Sequence, residues 1–440
     1  MTESTQDRSS AVRRGRTPEE RRVLVSTLAG TTVEWYDFFI YAQAASLVLA
    51  PLFFSPLGEE SPQIAALVSM ATIGISFLFR PLGAIVAGRF GDRIGRKRML
   101  VLTLLIMGAA TALIGLLPTY EQIGAAAPIA LILLRIAQGF SAGGEWGGAA
   151  LMAVEHAPRT KRGMFGSYPQ IAVPLGLLLA TGVLWITQAT MSGEQFLSWG
   201  WRVPFLLSVA LIVIGYMIRR KVEESPVFEQ LRRRKAQSAA PLRDLLRDHR
   251  RPVLLATLIF VANNAVGYLQ IAFFLSYGKH LGLPDSMVLL AIMLSAAAYG
   301  GFTLYAGTLS DRIGRVRTFQ IGYALMFVWM IPMFFLMETA QPLLFALAVL
   351  VLTPGIGLSY GPMSALYAEM FPARVRYSGV SIGYALGAIL GGAFAPTIAQ
   401  ALLQSTGTGV SIGVYMMVLC AISFAAVSLV REPKGIDLGV

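Results

Sequence analysis

The stretch Gly88-Arg-Phe-Gly-Asp92-Arg93-Ile-Gly95-Arg96-Lys97-Arg98 returns 219 residues later as Gly307-Thr-Leu-Ser-Asp311-Arg312-Ile-Gly314-Arg315-Val-Arg317. Each copy is a short basic interruption between two long apolar blocks. A second pair repeats at nearly the same offset. Glu155-His-Ala-Pro158, followed by Arg162-Gly163, matches Glu369-Met-Phe-Pro372, followed by Arg376 and Gly379, 214 residues on. Two independent matches at one offset argue for a duplicated unit. A same-sense repeat of apolar blocks implies two bundles related by an axis along the membrane normal, with the substrate path between them.

The flanking blocks set the fold class. They are about 20 residues long, the length a helix needs to cross the bilayer core. Val101–Leu117 and Leu343–Leu352 show none of the alternation of a transmembrane strand, so helices are the reading. Twelve spans are expected: 23–53, 63–88, 99–117, 126–154, 163–189, 203–218, 252–278, 286–308, 318–338, 341–368, 379–403 and 408–430. Charged residues make up 14% of the 440, against roughly 25% in soluble domains. The predicted fold is all-α and integral to the membrane, with twelve helices in two pseudo-symmetric six-helix bundles. Residues 1–22 would be a cytoplasmic tail, 23–218 the first bundle and 219–251 a basic cytoplasmic linker. Residues 252–430 would be the second bundle and 431–440 a second cytoplasmic tail.

The net charge of +12 is read as topology, not as a nucleic-acid footprint. With the N-terminus cytoplasmic, 32 of the 36 Lys and Arg fall in the tails and the loops on that side. Both termini are therefore expected to be cytoplasmic, in a multi-pass protein of the cell membrane. A single cysteine, Cys420, excludes an internal disulfide and a thiolate metal site. The three histidines lie in loops, so no metal is expected.

Five ionisable residues lie inside predicted spans: Glu34, Asp37, Arg80, Arg135 and Glu145. Charge within a membrane is costly, so each is a functional candidate. At 1.5 Å per residue, Asp37 lies about 22 Å from the cytoplasmic end of its helix and Arg135 roughly 25 Å, so the two could meet; Glu34–Arg80 is the second expected pair. Arg135, Gln138, Ala142, Glu145 and Trp146 fall on one helical stripe, expected to face a cavity, with a glycine face behind it. A proton-coupled carrier needs a group that titrates as access changes, and no span holds a histidine. A carboxylate must serve, and an arginine that a substrate can draw away would control it. Asp37 beside Arg135 fits that logic, with Glu34 and Glu145 as further coupling candidates. The expected substrate contacts are Arg80, Tyr41, Gln138, Trp146, Asn263, Asn264, Tyr268, Tyr360 and Tyr384. Gly88, Asp92, Arg93, Gly95, Arg96 and Glu155 are expected to latch the bundles on the cytoplasmic side, with Asp311, Arg315 and Glu369 as a weaker mirror.

The chain resembles the major facilitator superfamily. Residues 88–98 match its G-x-x-x-D-R-x-G-R-[KR]-[KR] signature, and Arg135-x-x-Gln138-Gly139 looks like its proton-linked motif. Glu34-Trp35-Tyr36-Asp37-Phe38, Phe79-Arg80-Pro81-Leu82-Gly83, the run Gln138–Trp146 and Glu224-Ser-Pro226-x-Phe228 resemble the metabolite:proton symporters. Gly143–Ala150 looks closest to the shikimate transporters. The resemblance implies proton-linked import of a small polar metabolite, an organic acid such as shikimate, by alternating access. A zwitterion such as proline or a betaine is the second reading, and export a third. The expected partners are a small-molecule substrate and the bilayer, with the protein a monomer and the proton its coupling ion in place of a cofactor. No G-x-x-x-x-G-K-[ST] loop suggests an ATP-driven pump, and no H-E-x-x-H motif or span histidine suggests an enzyme.

Overall fold

The computed structural model describes residues 18–54, 62–94, 96–143, 145–220, 245, 247–373, 375–436 and 438. Within helices, the side chains of residues 18–23, 26, 46, 62–63, 87–94, 96–98, 100 and 219–220 are not described. The N-terminal tail up to residue 17, Gly95 and most of the predicted linker thus lie outside the described residues. So do the side chains of Asp92, Arg93 and Arg96, and the surroundings of Gly88.

The described residues form helices joined by short turns. Among the described residues nine helices are long and apolar enough to span a membrane, and two bent pairs and the shorter Val101–Leu116 fill the remaining three positions. In chain order, α1 is Pro18–Ala44 with its continuation to Phe53, α2 Pro62–Ile94, α3 Arg96–Leu116, α4 Ala126–Glu155, α5 Arg162–Thr190 and α6 Arg202–Arg220. The second six are α7 Arg250–His280, α8 Asp285–Ile313, α9 Arg315–Glu338, α10 Pro342–Met370, α11 Arg376–Thr406 and α12 Val410–Ser428.

The duplication read from two loops governs the packing. In the first half α1 packs on α5, α2 on α4 and α3 on α6. In the second half α7 packs on α11, α8 on α10 and α9 on α12, the same pairs shifted by six. The halves meet where α5 lies along α8 and α2 along α11, again partners under that shift.

The surface is inverted relative to a soluble protein. Leu343, Val328, Leu133 and Leu294 are exposed at 79%, 71%, 60% and 55%, while Asp37, Arg135 and Glu145 are 0% exposed. Apolar side chains facing outward and charges facing inward suit a hydrocarbon solvent.

Several helices are interrupted. α1, α7 and α11 each contain a π turn, at Ala45–Leu49, Leu269–Phe273 and Ile389–Ala393. α1 bends by 46° there. α10 breaks between Leu358 and Met363, with Pro362 at the N-cap of its second piece. Such breaks free backbone carbonyls and commonly mark functional positions.

Candidate functional site

The first-half charges are positioned by glycine. A Cβ added at Gly139 would lie 2.0 Å from the Ser76 carbonyl oxygen, and one at Gly143 would lie 1.9 Å from that of Arg80. One added at Gly83 would lie 1.8 Å from the Phe140 carbonyl oxygen. Only glycine permits this approach of α2 and α4. It brings Ser76 against Arg135. The Arg135 guanidinium donates to Ser76 Oγ at 2.6 Å, to the Ile73 carbonyl at 3.3 Å and to Gln138 Oε1 at 2.7 Å. It also lies 3.8 Å from the centre of the Tyr41 ring and 4.9 Å from that of Phe38.

Asp37 and Arg135 do not form the expected ion pair. Asp37 Oδ1 accepts from Ser208 Oγ on α6 at 2.5 Å, and Oδ2 makes no hydrogen bond. Two neutral side chains occupy the gap. Gln138 accepts from Arg135 and donates from Nε2 to Thr111 Oγ1 at 2.8 Å, and Thr111 neighbours Asp37. The expected stripe on α4 therefore divides. Arg135 and Gln138 bond to α2 and α3 inside their own bundle, so neither lines the cavity. Glu145 is also fully buried and is absent from the cavity wall. Trp146 reaches the other half, where it meets Tyr384. Helical periodicity gives a shared face but not which neighbour the face meets.

Arg80 is 3% exposed and stacked among aromatics, 4.2 Å from the Phe77 ring centre, 4.4 Å from Phe38 and 5.8 Å from Trp35. Glu34 is also buried, in the same neighbourhood. Arg80, Arg135 and Glu34 all act electrostatically on the Tyr268 hydroxyl, which crosses from α7 to stand beside Arg80.

A narrow cavity of about 30 Å³ lies between the halves, lined among others by Trp35, Phe260, Asn263, Asn264, Tyr268 and Tyr384. Five of the nine expected substrate contacts stand on its wall: Asn263, Asn264, Tyr268, Tyr360 and Tyr384. Trp146 adjoins it, stacked on Tyr384 with centroids 3.8 Å apart at 10°, and its indole N–H donates to Gln170 Oε1 at 2.9 Å. Tyr384 in turn stacks on Phe260 at 4.4 Å. Tyr41 is spent elsewhere, donating to Thr72 Oγ1 at 2.7 Å beneath Arg135. Trp35 and Phe260 were not anticipated. Trp35 carried a signal, since it stands beside Glu34 in the quoted motif. Phe260 carried none, being one apolar residue in an apolar helix.

At the face holding the α1 start and the α12 end, α5 and α8 cross at Gly163 and Gly307. A Cβ at Gly163 would lie 2.5 Å from the Gly307 carbonyl oxygen. This contact sets the start of α5 onto Asp311. Asp311 accepts from the Gly163 and Met164 backbone N–H groups, both at 2.9 Å, where the helix dipole favours an anion. Arg315 bonds Asp311 at 2.7 Å and Glu369 at 3.2 Å, and Arg162 meets Glu369 at 3.4 Å. The second-half motif, expected as the weaker mirror of the latch, thus contacts the start of a helix from the first half. Glu155 ends α4 on this face and is partly buried.

The C-terminal segment completes the cluster. Glu432 accepts from the Arg315 and Val316 N–H groups at 2.9 Å, capping α9. Gly314, at φ +103°, lies directly against it, where a Cβ would sit 2.6 Å from Glu432 Oε2. The Ile436 carbonyl accepts from Arg162 at 2.6 Å, and the Leu438 carbonyl accepts from Arg376 at 2.8 Å.

Among the described residues no group of His, Cys, Asp and Glu is arranged to hold a metal ion.

Residues 37–396 match the family described as the Major Facilitator Superfamily. The chain is 41% identical over 419 residues to the inner membrane metabolite transport protein YhjE of Escherichia coli K12, covering 94% of each. It is 38% identical over 421 residues to the shikimate transporter of the same organism, covering 94% of this chain and 95% of that one. Among solved structures, it is similar to the xylose transporter XylE from E. coli in a partially occluded inward open conformation. The TM-score is 0.77 at 20% identity, over 96% of this chain and 100% of that one.

Proposed function

The chain belongs to the major facilitator superfamily, as a multi-pass membrane transport protein and not an enzyme, and we propose that it imports a small organic acid by proton symport. The observation that carries this reading is the Tyr268 hydroxyl. It stands on the cavity wall beside Arg80, in the field of both Arg80 and Arg135. A phenol backed by two guanidinium groups suits a carboxylate, since charge-assisted hydrogen bonds are the strong ones. The similarity to a shikimate transporter supports the same class.

Asp37 is the proposed proton carrier. No basic side chain lies within ion-pair distance of it among the described residues, so nothing holds it permanently ionised. Arg135 communicates with it through Gln138 and Thr111. A substrate carboxylate that drew Arg80 and Arg135 toward the cavity would disturb that chain and change the proton affinity of Asp37. Glu34 and Glu145 are secondary coupling groups. Asp311, Arg315, Glu369 and Arg162, with Asp92, Arg93, Arg96 and Glu155, form the proposed latch of the inward gate. On this reading both termini are cytoplasmic, the membrane is the cell membrane, the unit is a monomer and the proton is the coupling ion.

The test is proton movement on adding substrate to de-energised cells that express the protein. The panel sets shikimate, dicarboxylates and aromatic acids against proline and betaines. Transient alkalinisation with an organic acid supports the proposal. Alkalinisation with the zwitterions alone moves the assignment to that class, and silence across the panel, with the protein present in the membrane, overturns symport of these compounds.

A further inference from the structure

The cavity wall contributed by α7 offers the substrate the side-chain oxygens of Asn263 and Asn264 as hydrogen-bond acceptors. Asn263 Nδ2 donates to the Ile356 carbonyl at 3.0 Å and to Ser359 Oγ at 2.8 Å. Both of its amide hydrogens are thereby used. Asn264 Nδ2 donates to the Ala388 carbonyl at 3.0 Å. Backbone carbonyls can only accept, so these partners fix which atom of each amide is nitrogen. At Asn263 the polar atom left for the cavity is the side-chain oxygen, and Asn264 keeps its oxygen and one N–H. The carbonyls themselves come from the interrupted stretches of α10 and α11, so the breaks in those helices set the polarity of the wall.

The same wall carries two buried hydroxyls, Tyr268 at 2% exposure beside Arg80 and Tyr384 at 5% beside Tyr360. No charged residue lines the cavity, and the cations that bias it belong to the first half. The cavity is thus divided: acceptors and phenols on the second-half side, Arg80 and Arg135 behind Tyr268 on the other.

We propose that the site selects a hydroxylated ring carboxylate, with its carboxylate toward Tyr268 and Arg80 and its ring hydroxyls donating to the Asn263 and Asn264 oxygens. This rests on the organic-acid reading above and sharpens it. A quaternary ammonium ligand has no hydrogen to donate, and it would leave both oxygens desolvated and unsatisfied. An acid without hydroxyls would do the same. A site built to hydrogen-bond a substrate hydroxyl rejects the analogue that lacks it, because its own buried polar groups are left unpaired.

The experiment compares kcat/KM for uptake of shikimate, of cyclohexene-1-carboxylate as its deoxy counterpart, and of glycine betaine. The full-length protein is used in reconstituted vesicles under a proton gradient. The expected result is a preference for the hydroxylated acid over the deoxy acid of at least about tenfold, with betaine not carried. In Asn263→Leu and Asn264→Leu the ratio between the two acids falls toward one, whatever the absolute rates. The ratio in the unaltered protein tests the proposal even if a variant fails to fold. Equal rates for the two acids, or a variant ratio equal to that of the unaltered protein, overturns the hydroxyl contact and leaves proton-coupled acid transport standing. Proton-coupled uptake of betaine with neither acid carried overturns both readings.

Discussion

At the scale of single residues the first bundle separates its acid from its base. Asp37 and Arg135 are fully buried, yet each hydrogen-bonds to neutral partners and not to the other. A permanent ion pair would be hard to break in a low-dielectric interior and would fix the protonation state. The Gln138–Thr111 link leaves Asp37 free to titrate. Asp37→Asn should abolish substrate-driven alkalinisation while substrate exchange across a de-energised membrane persists. Retained proton-dependent accumulation in that variant would eliminate Asp37 as carrier. Arg135→Lys keeps the charge but loses the planar group that contacts Ser76, Gln138 and the Tyr41 face together. Uptake in that variant should fall by about tenfold or more, the cost of one charge-assisted hydrogen bond. Full activity would show that charge alone suffices.

At the scale of elements, what was legible depended on how local the signal was. Lengths and ends of the spans follow from apolar blocks and turn residues, and α6, expected at 203–218, runs Arg202–Arg220. The α2–α4 contact was half legible: the glycines announced a close approach, but not to which helix. The π turns in α1, α7 and α11 gave no sign, because they depend on packing between distant helices. Asn263 and Asn264 stood out as polar residues in an apolar helix, yet their orientation depends on carbonyls about 93 and 124 residues away. The glycine contact makes a sharp prediction. Gly143→Ala places a methyl 1.9 Å from the Arg80 carbonyl oxygen, whereas a Cβ at Gly301 meets nothing within 4 Å. Gly143→Ala should destabilise by about 1–3 kcal/mol, as overpacking does, and Gly301→Ala should leave the melting temperature near that of the unaltered protein. Equal melting temperatures for the two variants in detergent would refute the packing account.

At the scale of the whole molecule, the two halves are held at one face by a charged cluster whose members come from both. Asp311 binds the start of α5, Arg162 on α5 reaches Glu369 on α10, and the C-terminal segment bonds to Arg162, Arg315 and Arg376. These contacts would be lost if that face opened, while the packing inside each half would not. Exposed ion pairs contribute little, but this cluster is largely buried, and removing one member leaves its partner uncompensated. Asp311→Ala deprives the start of α5 of its anion and leaves Arg315 paired with one carboxylate, Glu369. Spin labels replacing the exposed Lys161 and Arg312, on either side of the α5–α8 crossing, should report a distance distribution shifted to longer values in that variant. Deletion of residues 432–440 should shift it the same way, because it removes the α9 cap and the carbonyls that Arg162 and Arg376 use. A distribution unchanged in both variants would mean that the face is held shut by helix packing, and the charged cluster would then be a consequence of closure and not its cause.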